Sequence, residues 1–299
     1  MLNGVLIINK PAGFTSHDVV NRVRRILQER SVGHLGTLDP LATGVLPLVV
    51  GNMTRLAQFY TASEKTYEGT IRFGFATDTY DGDGEAAGQT KSVTLSLPEL
   101  RELARNFQGV IEQVPPPFSA KKILGVPAYK LARKKQEVRL KPVQVEIKEF
   151  EILSADSDRA TFRAHVASGT YMRSIAHDMG QRMGCGAHLQ SLCRTSVAEF
   201  DLAEAHTLEE LQLAAEHDQL EEMFVHPREL LPQLPSVTAN DEMAAKIRSG
   251  RAVNLPELSK APLVKVFYGQ RELIAVATRI AGTLFHAKIV FAINEVARA

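Results

Sequence analysis

Residues 33–50 constrain this chain more than any other stretch. Gly33-His34-Leu35-Gly36-Thr37-Leu38-Asp39-Pro40-Leu41-Ala42-Thr43-Gly44 is punctuated by glycine and runs straight into the apolar sequence Val45-Leu46-Pro47-Leu48-Val49-Val50. Glycines at 33 and 36 let the backbone adopt conformations that other residues resist. Pro40 fixes its own φ and biases Asp39 away from helix. The apolar run is far shorter than the ~20 residues that span a bilayer, and it contains proline, so it reads as a buried strand. The segment therefore holds one carboxylate, Asp39, on a stiff turn beside an apolar wall. That is how a nucleophile is pre-positioned. The same Asp-Pro pair also suits an Asx-turn with a purely local role.

Hydrophobic periodicity places the elements on either side. Residues 4–8 are apolar and β-prone, a short buried strand. Thr15 or Ser16 caps a helix expected to run to about Arg30, with Val19, Val20, Val23, Ile26 and Leu27 at helical spacing. Its other face carries Arg22, Arg24 and Arg25. Tyr67, Gly69, Ile71, Phe73 and Phe75 alternate with polar residues, the period of a half-buried strand headed by Tyr67. Pro98 starts a helix with Leu100, Leu103 and Phe107 facing inward, and Gly109 ends it. Strands are expected at 143–148 and 162–166. Gly169 then turns the second into a helix beginning near Tyr171, with Ile175, Met179 and Met183 on one face, so Arg173 falls at a strand-to-helix junction.

The length of 299 residues suggests two domains at ~150 residues each. Pro227, Pro232 and Pro235 mark a linker. Beyond it come a short helix at 243–248 and strands at 263–268, 272–278 and 283–291, a compact β-rich module. The overall expectation is an α+β chain. The N-terminus lacks the basic region and apolar core of a secretory signal, which points to the cytoplasm. The two cysteines, Cys185 and Cys193, give no disulfide framework. With His188 they offer only three candidate ligands, fewer than a structural zinc takes, and buried thiols are the default. Thr77-Asp78-Thr79-Tyr80-Asp81-Gly82-Asp83-Gly84 hints at a calcium loop. However, an EF-hand register from Asp81 puts Ala at 86 and Ser at 92, where glycine and an acid are needed. It reads as a polar loop near the site, and no metal is expected.

A net charge of +1 by itself argues against a nucleic-acid binder. The distribution reverses that inference. Residues 121–148 carry nine basic side chains (Lys121, Lys122, Lys130, Arg133, Lys134, Lys135, Arg139, Lys141 and Lys148) against Glu137 and Glu146. Residues 195–222 carry nine acidic side chains and no Lys or Arg. The near-zero total is a cancellation of segregated patches. A basic cluster is a solvated face unless something near it handles nucleic acid.

Five ordered motifs supply that something. Asp39 lies in Gly33-His34-Leu35-Gly36-Thr37-Leu38-Asp39-Pro40, which resembles the signature of the TruB family of pseudouridine synthases. Gly4 to Ser16, with Lys10-Pro11-Ala12-Gly13-Phe14-Thr15-Ser16, is similar to the family's N-terminal segment. Lys65-Thr66-Tyr67, Ser168-Gly169-Thr170-Tyr171-Met172-Arg173-Ser174, and Gly184-Cys185-Gly186-Ala187-His188-Leu189 running on to Leu192 and Arg194 resemble three further family elements. The match runs in order from residue 4 to about 232. One departure is Cys193, where relatives often carry a basic residue.

The resemblance implies a pseudouridine-synthase-like catalytic domain over 1–232, built on a central mixed or antiparallel sheet. It implies a basic RNA-gripping insertion at about 112–142, read as a mobile arm, and a PUA-like RNA-binding domain over 233–299. It implies isomerisation of uridine 55 in the tRNA T loop. Asp39 would be the nucleophile or base, acting at ribose C1′ or C2′. Tyr67 would stack on the uracil and relay the C5 proton, and Arg173 would hold Asp39 ionised. Tyr171, Leu192, His34 and Lys10 would contact substrate: Tyr171 and Leu192 the base, His34 the displaced RNA, and Lys10 the loop or a phosphate. The base must be flipped from its stack. No cofactor is implied, and the chain has no G-x-G-x-x-G or Walker pattern. The implied partner is the tRNA T-arm, engaged by a monomer without a guide RNA, an obligatory protein or a membrane. A non-catalytic RNA-binding or RNA-folding protein on the same scaffold is the alternative, and a nucleoside hydrolase using Asp39 a second.

Overall fold

The structure, a computed structural model, describes residues 2–123, 125–134, 136, 138 and 140–291. Lys135, Glu137 and Arg139 of the basic segment lie outside the described residues.

A nine-stranded sheet forms the body of the protein. Its strands are β1 (Gly4–Lys10), β2 (Val32–His34), β3 (Thr43–Val50), β4 (Lys65–Phe73), β5 (Gly109–Gln113), β6 (Val143–Asp156), β7 (Arg159–Val166), β8 (Ala187–Val197) and β9 (Phe200–Asp201). They pair in the order β1-β3-β8-β4-β7-β6-β5, with β2 also on β3 and β9 also on β8. Every pair is antiparallel except β3 with β8, so the sheet is mixed.

The run Val5-Leu6-Ile7-Ile8 shows why β1 is apolar throughout. Leu6 and Ile8 enter a core under the helices, whereas Val5 and Ile7 enter a second core on the opposite face. A strand buried on both faces loses the polar alternation of a half-exposed one. Helices α1 (Ser16–Leu27), α2 (Leu97–Arg105), α3 (Met172–Arg182) and α4 (Leu208–Glu216) supply the first core. Thr15 caps α1 through a reciprocal box with Asp18. The helix stops at Leu27, three residues before the expected end, because Gln28 turns left-handed at φ 51°.

Beyond the linker, a five-stranded sheet contains Ser236–Ala239, Val253–Asn254, Leu263–Tyr268, Glu272–Ala281 and Leu284–Val290, with one helix at Asp241–Arg248. It has its own core around Ile247, Val264, Ile274 and Phe285. Its other face, through Phe267, Leu273, Val276 and Ile289, joins the second core beside Val5, Ile7 and Phe200. The basic segment leaves the sheet after β5. It forms a two-strand ladder (Lys122–Ile123 with Val126–Pro127) and a short helix at Ala128–Arg133. Lys121, Lys122, Lys130, Arg133, Lys134 and Lys141 are all exposed.

Candidate active site

The Asp39 turn bridges β2 and β3, which pair antiparallel from Val32 with Val50 to His34 with Leu48. Gly36 and Gly44 take φ of +132° and +97°, where a side chain is strained. Three side chains fasten the turn from behind. The Ser16 hydroxyl donates to the Leu38 carbonyl at 3.1 Å and accepts from the Leu38 N–H at 2.8 Å. Lys10 donates to the carbonyls of Phe14 (2.6 Å), Pro11 (2.9 Å) and Pro40 (3.3 Å). Arg194 donates to those of Val45 (2.8 Å), Gly36 (3.1 Å) and Thr37 (3.3 Å). Lys10 and Arg194 have no exposed surface.

Lys10 was expected among the substrate contacts, as a loop brace or a phosphate ligand. Its three N–H donors meet three carbonyls inside the protein, which is the bracing geometry and leaves none for a phosphate. Burial brings its pKa down to about 8, with Asp39 acting the other way.

Asp39 faces Arg173, whose Nε lies 2.8 Å from the carboxylate. Arg173 sits in the first turn of α3 with its guanidinium buried. Its Nη1 faces the Asp81 carboxylate at 3.5 Å and donates to the Thr79 carbonyl at 3.2 Å, and its Nη2 donates to the Phe118 carbonyl at 3.1 Å. One planar fork thus ties the Asp39 turn, the 77–84 loop and the root of the basic segment together, a task that suits arginine and not lysine. The start of α3 is held as firmly. Gln113, at the end of β5, donates to the Tyr171 carbonyl at 3.1 Å and accepts from its N–H at 2.8 Å. Ser174 donates to the Val114 carbonyl at 2.7 Å.

A cavity of about 420 Å³ opens over this pair, within the range that holds a small ligand. Asp39, Tyr67, Tyr171, Arg173, Leu192 and His34 all line it. Of the seven residues singled out in the sequence, only Lys10 lies behind the wall. Tyr67 is buried on β4, with its phenol beside the Arg194 guanidinium. His34 accepts from the Gly36 N–H at 3.3 Å through Nδ1. Tyr171 is the residue before α3, and burial raises its phenol, with Asp39 adding to the rise.

The electrostatics differ from the simple expectation. Burial raises the Asp39 pKa above the ordinary carboxylate range. Arg173 pulls it back, Asp81 raises it again, and Lys10 lowers it slightly. The carboxylate is thus balanced between its neighbours and not simply locked in the charged form. Burial also raises Tyr67, against the pull of Arg194. Burial and then Arg194 lower His34.

Sequence reasoning did not assign roles to Asp81, Gln113, Lys65 or Arg194. Asp81 had a signal, its glycine-rich polar loop, which pointed first to metal. Gln113 had none. Among the described residues no group of three or more His, Cys, Asp or Glu side chains is placed to hold a metal. Cys185 and Cys193 are free, half-buried thiols, and His188 is buried, with its Nδ1 3.1 Å from the Phe75 carbonyl. No helix among the described residues is long and apolar enough to cross a membrane.

Comparison with known proteins gives consistent matches. Residues 24–172 match the model of the TruB family pseudouridylate synthase N-terminal domain, and residues 173–232 that of the tRNA pseudouridylate synthase B C-terminal domain. The tRNA pseudouridine synthase B of Solibacter usitatus is 48% identical over 97% of this chain and 100% of its own. That of Aquifex aeolicus is 41% identical over 89% of this chain and 92% of its own. A chain in the crystal structure of a Cbf5-Nop10-Gar1 complex shares the fold, with a TM-score of 0.70 at 23% identity over 97% of this chain and 85% of that one.

Proposed function

The chain belongs to the TruB family of pseudouridine synthases, and on that premise we propose that it acts on uridine 55 in the T loop of tRNA. It is a tRNA pseudouridine synthase, an enzyme that isomerises uridine within RNA. We infer further that it works as a stand-alone cytoplasmic monomer. Residues 1–232 form the catalytic domain and residues 233–299 a PUA-like domain that helps to hold the RNA. The exposed Lys121, Lys122, Lys130, Arg133 and Lys134 contact phosphates of the T-arm.

The observation that carries the reading is the Asp39–Arg173 pair at 2.8 Å, opening into a cavity walled by Tyr67, Tyr171 and Leu192. Flipping a uridine out of a stacked loop costs about a few kcal/mol. The cavity repays this by enclosing the base between Leu192 and the two aromatic rings. Asp39, ionised, acts on the ribose, at C1′ as nucleophile or at C2′ as base. The electrons of the C1′–N1 bond leave with the uracil, which turns; its C5 then bonds to C1′, breaking the Asp39–C1′ bond in the first route or with return of the C2′ proton from Asp39 in the second. The C5 proton is then relayed through the Tyr67 oxygen, and a proton is taken up at N1, which left with the electron pair. The product has the same atoms as the substrate. Arg173 keeps the Asp39 carboxylate oriented and offsets part of the burial that would neutralise it.

Incubation with unmodified tRNA, followed by position-resolved mapping with carbodiimide, tests this. The expected result is one modified uridine at position 55, and none with Asp39→Asn even though that variant still binds tRNA. Product formation by Asp39→Asn at the wild-type rate removes Asp39 from the mechanism. Release of free uracil by the wild type indicates a hydrolase. Binding by the wild type with neither product indicates the non-catalytic alternative.

A further inference from the structure

Arg173 enters the cavity already matched, with the carboxylates of Asp39 and Asp81 on two of its nitrogens. Lys65 enters the same cavity unmatched. It lies two residues before Tyr67 on β4, so the two side chains leave the strand on the same face. Its ammonium donates to the Ser63 carbonyl at 2.5 Å, one acceptor for three N–H groups. No carboxylate pairs with it among the described residues. The adjacent acid, Glu64, is committed to Lys148 and to His165, the latter at 2.9 Å. A second cation stands beside it. The Lys65 Cε and the Arg194 Nη1 both come within 3.6 Å of where a side chain on Gly36 would start. Burial, with Arg194 adding repulsion, brings Lys65 down to about 8.

The cavity is therefore polarised. One end holds Asp39 and the Arg173 guanidinium, backed by the buried Asp81, and suits the neutral ribose and uracil. The other holds Lys65, with Arg194 buried behind the wall and no acidic side chain in that part of the lining, and an uncompensated cation facing a cavity favours an incoming anion. A flipped nucleotide brings an anion with it, the phosphodiester that joins it to the strand. A lysine, a point charge on a long stem, suits a phosphate held at the cavity mouth. We propose that Lys65 is a substrate-binding residue that takes a phosphodiester adjoining the flipped uridine. This rests on the reading of the protein as a pseudouridine synthase. It adds an RNA-backbone contact inside the cavity, separate from the exposed basic face.

The test uses the full chain and tRNA, comparing the wild type with Lys65→Met and Lys65→Arg. Lys65→Met should weaken tRNA binding by about three- to tenfold and reduce the slope of log affinity against log salt by about one. The loss in affinity should exceed the loss in the single-turnover rate at saturation, and Lys65→Arg should restore most of the binding. A second measurement is independent of any change in folding. A T-arm RNA carrying a neutral methylphosphonate beside the target uridine should bind the wild type more weakly but leave Lys65→Met almost unaffected. Wild-type affinity and salt slope in Lys65→Met would overturn the proposal. So would equal sensitivity of wild type and Lys65→Met to the methylphosphonate at both flanking positions, or a collapsed saturating rate with intact affinity, which assigns the charge to the chemistry instead. Absence of pseudouridine from the wild-type reaction would instead refute the parent reading.

Discussion

Replacing Arg173 by lysine separates charge from shape. Lysine keeps the positive charge but offers one nitrogen where the guanidinium uses three, toward Asp39, Asp81 with Thr79, and Phe118. A single ammonium can serve one of these directions. A charge-assisted hydrogen bond contributes about 1.5–3 kcal/mol. The Asp39 side chain is 38% exposed, so solvent screening puts that contact at the low end. The Asp81 contact is long, at 3.5 Å, and also belongs there. Losing the equivalent of two such contacts costs about 3 kcal/mol, which at 1.36 kcal/mol per tenfold is about a hundredfold in rate. The assay is tritium release from tRNA labelled at uridine C5, under single turnover with enzyme in excess, alongside thermal melting. Arg173→Lys should fall about a hundredfold with its tRNA affinity largely retained. A rate within threefold of wild type, with an unchanged melting temperature, would show that charge alone suffices and that the fork geometry is irrelevant.

Three further outcomes are expected. The rate should fall as pH drops through the pKa of Asp39, and that limb should lie above the ordinary carboxylate range because burial and Asp81 raise it. Asp81→Asn removes one of the groups that favour the protonated form, so its rate–pH profile should show the acid limb at lower pH, together with a lower plateau because Arg173 loses a partner; a limb that moves up would contradict the assignment. Gly44→Ala should destabilise the whole fold, since its φ is +97° and a Cβ would lie 2.3 Å from the Arg194 carbonyl oxygen. A cost of about 2–4 kcal/mol, or about 5 °C in melting temperature, is expected and can be read by calorimetry.

The Asp39 turn was legible because glycine and proline act locally, and the conformation they impose does not depend on distant partners. The junction before α3 was legible for the same reason, with Gly169 at φ +90° marking the turn. Strand β8 was not, although it lies near the middle of the sheet. Ala187–Val197 shows no two-residue alternation, and its ladder with β4 shifts register twice, between Leu189 and Ser191 and between Arg194 and Ser196. Strand β6 extends eight residues past the expected end at 148 for a similar reason, with register shifts after Ile147 and Ile152. For Lys10 the sequence left bracing and phosphate contact open, because lysine is almost never fully buried and the three carbonyls that converge on it come together only in the fold. Gln113 and Asp81 act on residues 58 and 92 positions away, a relation that no local pattern encodes.

The odd and even residues of β1 belong to different cores, and that has a consequence for how the molecule comes apart. Val5 and Ile7 are covered partly by residues more than 250 positions later in the chain, among them Phe267, Leu273 and Val276. Severing the polypeptide at the proline-rich linker would strip one side of the strand that anchors the Asp39 turn. The severed N-terminal fragment would be left with a wet, sticky flank. Heat should therefore melt the two modules in a single cooperative step, because the C-terminal module doubles as a wall of the N-terminal body.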